Sequence, residues 1–373
     1  MTDLFEAETA TTTTLDLRRL QRNKRRATRR KWTVVVSAVA IVVFALGASV
    51  AYNFVGTFEG SSNEIADYEG TGQGTLQVIV KPGDTGSDIA TTLVDQKVVA
   101  SRAAFLQEWN SNADSQSVVP GYYWMHREMK AEYALQSLLD PSNRDVRNLT
   151  VPEGLALADT YEKIAAITAT SAADVEAAAK DTAALGLPKG AKGNLEGWLF
   201  PATYQFDPGV TPAVVLKTMI AKTIQTLDDA GVAESDREKV LIVASLVEKE
   251  AKLDEDRAKV ASVIYNRLKI DMPLGLDSTL KYYLEDTGAT LSAEELATDN
   301  PYNTYQNVGL TPGPIASPGA ESIDAAVHPV KTKYVYFVTV NLDTGKTKYA
   351  ADYPTFLKYK KEYQKWANAH KSD

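Results

Sequence analysis

The chain has 373 residues, a net charge of −8 at pH 7 and no cysteine, and 44% of its residues are hydrophobic. This length and composition indicate a folded protein of roughly two or three units. The absence of cysteine excludes disulfides, thiolate zinc sites and cysteine nucleophiles. Because the chain has only three histidines, His126, His328 and His370, we predict neither a metal site nor a cofactor.

Residues 1–31 form a basic tail. They contain nine Lys and Arg residues and four acidic residues, a net charge of +5. The rest of the chain then has a net charge of −13. An acidic body argues against nucleic-acid binding, which needs a basic face. Since basic segments beside a membrane span stay on the cytoplasmic side, the tail is predicted to be cytoplasmic.

The next 24 residues, Trp32–Val55, carry no charge and predict a transmembrane helix. Such a helix is about 36 Å long at 1.5 Å per residue, enough to cross the hydrocarbon core with some tilt. The rest of the chain would then lie outside the cell membrane. A cleaved signal peptide, with Ser49-Val50-Ala51 as its cleavage site, is the alternative. The long polar lead and the long apolar segment favour a retained anchor.

Residues 56–75 are rich in Gly, Ser and acids, which is typical of a flexible linker. A small α+β unit is predicted at about 76–169. It opens with alternating apolar residues that indicate a strand. Pro82-Gly83 then predicts a turn, and Ser87 or Asp88 predicts the start of a helix.

The same order of residues returns 71 positions later. Val80, Gly83, Asp88 and Leu93 match Val151, Gly154, Asp159 and Ile164. The match predicts a second strand, turn and helix, although two capped helices that follow strands can look alike by chance. Between the copies, PGYYWMHREM predicts a strand and KAEYALQSLLD predicts a helix.

Residues 170–373 predict a mixed α/β unit. Helices are expected from Ser171 to about Leu185, over SDREKVLIVASLVEKEA, DRAKVASVIYNRLK and AESIDAAVHP, and after Pro354. A hairpin is expected to turn at Asp343–Gly345. The segment YNTYQNVGLTPGPIASPG predicts a long loop.

Glu196 lies in an apolar segment, NLEGWLFPATY, with Trp198 and Tyr204 among its neighbours. An apolar wall disfavours the carboxylate and raises the pKa of a glutamate, as a general acid requires. Aromatic rings also provide platforms for sugar faces. From the pattern alone, a structural glutamate bonded to the backbone is an open alternative.

Glu248 and Glu250 lie at the edges of the apolar arc of one predicted helix. For both residues, capping or a salt bridge to Arg257 or Arg267 is the simpler interpretation.

Ser278 and Lys281 have the S-x-x-K spacing of penicillin-binding serine acyltransferases. The partner motifs S-D-N and K-T-G are absent from the chain. A serine peptidase or transpeptidase is therefore a minor alternative.

Six segments together resemble the endolytic murein transglycosylases, the MltG/YceG-like family. They are LEGWLFPATY, ASLVEKEA, VASVIYNRL, MPLGLDSTLKYYL, PYNTYQNVGLTPGPIASPG and AVHPVKTKYVYFV. The order of anchor, small LysM-like unit and catalytic unit is also similar. The resemblance covers about Trp32 to Tyr359 and implies a LysM-like unit at 76–169 and a catalytic transglycosylase domain at 170–373.

The resemblance implies a membrane-anchored lyase that cleaves peptidoglycan between N-acetylmuramic acid and N-acetylglucosamine. Glu196 falls on the family's catalytic glutamate, which acts as acid and then as base and leaves a 1,6-anhydro end. Glycan strands are the implied substrate, and cell-wall synthases are the implied partners. Ala202 stands where members often have Asp, so no second carboxylate is assumed there.

Substrate contacts are expected from a larger set of residues on these motifs. They are Trp198, Tyr204, Glu248, Glu250, Asp277, Ser278, Tyr302, Asn303 and Tyr305. The two glutamates of this set can orient Glu196 or the groove. For the Tyr and Asn residues, loop structure is the alternative. A non-catalytic peptidoglycan-binding protein is the other function left open.

Overall fold

A computed structural model describes residues 65–285 and 291–370 of the chain. The basic tail, the predicted transmembrane helix and residues 56–64 of the predicted linker lie outside the described residues. Within those two ranges, no helix is both long enough and apolar enough to cross a membrane.

The described residues form a mixed α+β fold with three two-stranded antiparallel sheets, β1–β2, β3–β4 and β5–β6. The strands are β1 Gln73–Val80, β2 Gly121–Arg127, β3 Arg147–Thr150, β4 Thr203–Phe206, β5 Tyr336–Asn341 and β6 Lys346–Ala350. The helices are α1 Gly86–Asp95, α2 Arg102–Ser111, α3 Ala131–Leu139, α4 Leu157–Thr168, α5 Ala172–Ala179, α6 Thr182–Leu185, α7 Pro212–Asp229, α8 Arg237–Glu250, α9 Asp254–Lys269, α10 Asp277–Leu284, α11 Ala293–Leu296, α12 Ala320–Val327 and α13 Tyr353–Ala369. Short 3-10 turns lie at Ser115–Ser117, Pro141–Asn143, Lys189–Ala191 and Glu234–Asp236.

The first core lies between the β1–β2 hairpin and helices α1 to α3. Val78 is paired with Tyr123 across the two strands, and both side chains are buried. The alternating pattern therefore predicted β1 correctly, because residues two apart lie on one face of a strand. Strand β2 and helix α3 are also confirmed, whereas α2 was not predicted.

The repeat at an interval of 71 residues is confirmed in the structure. Gly83 and Gly154 follow the two strands with φ angles of +87° and +73°, in the region that glycine reaches at little cost. Leu93 and Ile164 occupy the same turn of the two helices and are fully buried. Helix α1 begins after Thr85, which accepts from the N–H of the third residue of the helix, so the predicted start at Ser87 or Asp88 was two or three residues late.

The two copies pack against different partners. Strand β3 pairs with β4, and α4 contributes to a second core with α5 and α7. The first core contains residues 78–138, so the expected boundary near residue 169 does not coincide with the packing. The periodicity of a strand predicts which of its faces is buried but does not identify its neighbour.

Helix α8 forms the centre of the third core. Its residues from Val240 to Val247 are all buried, as expected for a helix that is apolar nearly all round. The predicted helices α8, α9, α12 and α13 and the hairpin β5–β6 are confirmed. The helix predicted from Ser171 is two helices, because Asp181 caps α6 and interrupts it. Helix α7 was missed, although Thr211-Pro212 is a helix-start signal.

We predict that Gly86→Ala destabilises the protein, even though alanine is the better helix former. A Cβ atom at this position would lie 2.5 Å from Nε1 of Trp109, whose side chain is packed in the first core. Overpacking of this kind costs about 1–3 kcal/mol, which thermal unfolding can measure. The matched control is Gly190→Ala, where the added atom meets nothing within 4 Å. Equal melting temperatures for the two variants would contradict the packing described here.

Candidate active site

Glu196 lies in a tight turn between α6 and β4, and its backbone is fixed on both sides. Its N–H donates to Asn194 Oδ1 at 3.0 Å. Gly197 has a φ of +78°, and a Cβ atom there would lie 2.5 Å from a side-chain carbon of Pro314. The turn therefore requires glycine after the glutamate, and it directs the Glu196 side chain into the protein, where 1% of the residue is exposed.

The Glu196 carboxyl group caps helix α4. Its Oε2 atom accepts from the backbone N–H of Leu157, the first residue of the helix, at 3.0 Å. The N-cap residue of α4 is Ala156, which has no side-chain acceptor. A helix leaves its first N–H groups unpaired and favours negative charge at this end. The carboxyl group therefore takes the place of the missing cap.

The second carboxyl oxygen of Glu196, Oε1, is buried and has no partner with good hydrogen-bond geometry among the described residues. The hydroxyl group of Tyr282, on α10, lowers the pKa of the Glu196 carboxyl group. Catalytic hydrogen bonds are often loose in free enzymes and tighten when substrate binds. Oε1 is therefore the oxygen available to a reacting group.

Opposing effects set the proton affinity of Glu196. Burial raises the pKa of this carboxyl group from 4.5 to about 7, against the lowering effects of the Leu157 N–H and the Tyr282 hydroxyl. The negative charge of Asp159 adds a smaller upward effect. A group with this pKa can both donate and accept a proton near neutral pH, as general acid–base catalysis requires.

Two tyrosines form the aromatic side of the site. The rings of Tyr282 and Tyr302 lie 5.2 Å apart between centroids. Burial and the nearby Glu196 charge raise the pKa of both hydroxyl groups, which therefore stay protonated. A Cβ atom added at Gly313 would lie 2.9 Å from Asn194 Nδ2 and 3.4 Å from the Tyr302 hydroxyl oxygen, so these polar groups converge there.

Tyr302 was predicted as a substrate contact, whereas Tyr282 and Asn194 were not. Tyr282 follows Ser278 by four residues, the spacing of side chains on one face of a helix. That spacing was the available signal, but α10 itself was not predicted.

Trp198 and Tyr204 were expected to face the Glu196 carboxyl group, but each side chain makes a different contact. Trp198 is fully buried, and its indole N–H donates to Glu238 at 2.9 Å. The Tyr204 hydroxyl donates to the Phe200 carbonyl at 2.7 Å. The buried Trp198 ring therefore offers no face to a sugar, whereas Tyr204 is partly buried and bonds the backbone of the same segment.

Glu248 has the structural role that the simpler interpretation gave it. It forms a buried ion pair with Arg257 at 3.1 Å. It also accepts from the N–H of Gly319, the N-cap residue of α12, at 3.0 Å. Glu248, on α8, therefore links this helix to α9 through Arg257 and to the start of α12 through Gly319.

Glu250 faces α10. It accepts from the Ser278 hydroxyl at 2.6 Å, and burial raises the pKa of its carboxyl group. Because the Ser278 hydroxyl is a donor to a carboxyl group, its geometry gives no support to a serine nucleophile activated by Lys281.

The remaining predicted contacts lie near the start of α10. The exposed Tyr305 donates its hydroxyl to Asp277. Asn303 is fully buried, and its Nδ2 donates to the carbonyl groups of Leu296 and Thr298 at 3.1 and 2.8 Å. The structure therefore supports the loop-structure alternative for Asn303 and leaves Asp277 and Tyr305 at the surface.

Comparisons with known proteins give a consistent picture. A model of the YceG-like family matches residues 78–362. An endolytic murein transglycosylase of Bacillus subtilis (strain 168) is 35% identical over 284 residues, which cover 71% of this chain and 78% of the relative. One from Streptococcus pneumoniae serotype 2 (strain D39) is 29% identical over 353 residues, which cover 85% of this chain and 62% of the relative. A crystal structure of a YceG-like protein of Listeria monocytogenes is 30% identical and covers 77% of this chain and 99% of its own, with a TM-score of 0.49.

We predict that Glu196→Gln raises the melting temperature more at pH 8 than at pH 5. Because burial raises the pKa of Glu196 from 4.5 to about 7, stability is highest below pH 4.5 and falls as pH rises through about 7. The full loss corresponds to about 3 kcal/mol, and glutamine avoids it because it never ionises.

The matched control is Glu162→Gln, at an exposed position on helix α4, the helix that Glu196 caps. Thermal unfolding of the variants and the wild type at both pH values measures the difference. A larger rise at pH 5 than at pH 8 would contradict the assignment of a buried acid.

Proposed function

We propose that this chain, which belongs to the YceG-like family, cleaves the β-1,4 bond between N-acetylmuramic acid and N-acetylglucosamine, with Glu196 as general acid and then general base. The curated relatives that it matches are named endolytic murein transglycosylases. With 35% identity over 71% of the chain, the chain is itself a lytic transglycosylase that acts on peptidoglycan.

The Glu196 carboxyl group carries the mechanistic proposal. It is buried, it holds a proton up to about pH 7, and its Oε1 atom has no well-formed partner among the described residues. In the first step this carboxyl group donates its proton to the glycosidic oxygen. The bond between that oxygen and C1 of the muramic ring then breaks, and the N-acetyl group of the same sugar stabilises the positive charge at C1.

In the second step the Glu196 carboxylate acts as a base. It removes the proton from the C6 hydroxyl group of the muramic residue, and O6 then closes on C1 to form the 1,6-anhydro ring. The reaction consumes no water and returns Glu196 to its protonated form. The Leu157 N–H and the end of α4 stabilise the carboxylate between the two steps.

One carboxyl group can perform both steps because they occur in sequence. Glycosidases that use water instead place two carboxyl groups on opposite sides of the bond. Ala202, where members of the family often have Asp, supplies no second carboxylate. We therefore assign both roles to Glu196, and we place the substrate beside Tyr302 and the surface pair Asp277–Tyr305.

Membrane attachment and orientation are part of the proposal. The charge of residues 1–31 and the uncharged Trp32–Val55 segment support one span with a cytoplasmic N-terminus. The catalytic unit would then lie on the side of the membrane that carries the cell wall. Association with cell-wall synthases rests on the family resemblance alone.

Digestion of purified peptidoglycan by the outer part of the chain should give 1,6-anhydromuramic ends. The product is one water lighter than the product of hydrolysis, because O6 and not water attacks C1. Mass spectrometry of the released fragments measures the difference. Reducing muramic ends as the main product would show that the enzyme is a hydrolase.

Glu196→Gln should abolish almost all of this activity, by about 10²–10⁴-fold or more, because the variant cannot donate or accept the proton. The rate of release of anhydro fragments measures the loss. Glu248→Gln is the comparison: it weakens an ion pair and should lower stability with a smaller effect on the rate. A folded Glu196→Gln variant that keeps most of the activity would overturn the assignment.

The anchor should be retained in the mature protein. Protease added outside cells stripped of their wall should digest the body of the chain, while untreated protein sediments with membranes. A cytoplasmic protein that stays intact is the control for cell integrity. A mature chain that begins near Tyr52 would show cleavage of a signal peptide instead.

A further inference from the structure

We infer that Asn194, Glu238 and Tyr302 form a subsite that binds the acetamido group of a sugar beside the bond to be cleaved. The inference rests on the proposed function, which puts a glycan strand next to Glu196. Glu238 was not among the residues expected to contact the substrate.

The three side chains of this subsite converge above Gly313. A Cβ atom added to the glycine would lie 2.9 Å from Asn194 Nδ2, 3.4 Å from the Tyr302 hydroxyl oxygen and 3.9 Å from Glu238 Oε1. Gly313 does not have the positive φ angle that favours glycine. The close approach of these polar groups, and not the backbone, therefore requires a residue without a side chain here.

The loop that carries Gly313 is held in place from both sides. The Thr311 hydroxyl donates to the Gly313 carbonyl at 2.8 Å, and the Ile315 N–H donates to Ser245 Oγ at 3.1 Å. Thr311, Ile315 and Ser245 are all buried. The base of the subsite is thus formed before a substrate arrives, which reduces the entropic cost of binding.

The subsite adjoins the turn that carries Glu196. Asn194 Oδ1 accepts from the Glu196 N–H at 3.0 Å, so one end of the Asn194 amide group holds this turn while the other end lies above Gly313. Pro314, the residue after Gly313, lies against Gly197 on the other side of Glu196. A sugar bound by the subsite would therefore lie beside the proposed acid.

The free polar atoms of the subsite match an acetamido group. Among residues 65–285 and 291–370, Asn194 Nδ2, Glu238 Oε1 and the Tyr302 hydroxyl have no hydrogen-bond partner. An amide nitrogen donates, a carboxylate accepts and a phenol can do either. An acetamido group carries one carbonyl acceptor and one N–H donor, so Asn194 can donate to the carbonyl while Glu238 accepts from the N–H. Both sugars of the proposed substrate carry this group.

Trp198 sets the direction of the Glu238 carboxyl group. Its buried indole N–H donates to Glu238 Oε2 at 2.9 Å, which leaves Oε1 on the side of Gly313 for a ligand. The tryptophan that was expected to provide a sugar platform thus orients a carboxyl group that binds the sugar instead.

Glu238→Gln reverses the hydrogen-bonding character of the subsite with little change in its shape. The glutamine has one side-chain oxygen, which the buried Trp198 N–H requires, because an unpaired buried donor is costly. The NH2 group then lies toward Gly313, where it opposes the N–H of an acetamido group. The matched control is Glu234→Gln, which removes the same charge at an exposed position four residues earlier.

Two probes that differ only at C2 of each sugar identify the bound group. Chitotetraose is a β-1,4 chain of N-acetylglucosamine, and cellotetraose has hydroxyl groups in place of the acetamido groups. Saturation-transfer difference NMR with the full chain in detergent measures the dissociation constant of each probe. Melting temperatures confirm that each variant is folded.

We expect the wild type and Glu234→Gln to bind chitotetraose about 10-fold or more tightly than cellotetraose, the usual effect of a hydrogen bond to a charged group. Glu238→Gln should lose most of this preference. Equal or undetectable binding of the two probes by the wild type would overturn the inference. The same holds for a folded Glu238→Gln variant that keeps the preference, or for a Glu234→Gln variant that loses it.

Gly313→Ala tests the same subsite independently of Glu238. The added Cβ atom would lie 2.9 Å from Asn194 Nδ2 and must displace it, so the preference for chitotetraose should again fall. The matched control is Gly190→Ala, where the added atom meets nothing within 4 Å. A Gly313→Ala variant with the wild-type preference would contradict the subsite.

The inference and the proposed function fail in different ways. Wild-type protein that releases 1,6-anhydro ends from peptidoglycan but binds the two probes equally would refute the subsite alone. Wild-type protein that releases reducing ends would refute the proposed mechanism, whichever probe it prefers.

Discussion

A single hydrogen bond, from the N–H of Leu157 to the Glu196 carboxyl group, connects the start of helix α4 to the proposed catalytic group. The first copy of the repeat has Thr85 as the cap of its helix, whereas the second has Ala156, which leaves the start of α4 without a local acceptor. Glu196 fills that position from a turn 39 residues later. Burial raises its proton affinity and the helix end lowers it, and the balance brings the pKa to about 7. The same contact thus closes a helix and prepares an acid that can also act as a base.

Two more glutamates make contacts of the same kind. Glu248 accepts from the N–H of Gly319 at the start of α12, and Glu250 bonds Ser278 at the start of α10. In each case the helix lacks a side-chain acceptor of its own at its N-cap. Glu248 is also paired with Arg257, which gives it a stabilising role. Glu250 bears on helix α10 through the Ser278 hydroxyl, which donates to it at 2.6 Å.

The sequence predicted those features that depend on residues close together in the chain. The repeat, the hairpin at Asp343–Gly345 and the buried helix α8 follow from periodicity, turn residues and glycine positions. The apolar setting of Glu196 was also visible. The direction of Trp198 was wrong, because Gly197 at a φ of +78° turns the chain between the two side chains. Tyr282 was not predicted as a site residue, because it lies 86 residues from Glu196 in the chain and its position depends on how α10 packs.

The central claim is that Glu196 is a buried carboxyl group that exchanges a proton near neutral pH. Infrared difference spectra between the wild type and Glu196→Gln, recorded from pH 4 to pH 9, measure this group directly. We predict a protonated carboxyl band that disappears with a midpoint of about 7. A midpoint near 4.5, the ordinary value for a glutamate, would contradict the claim.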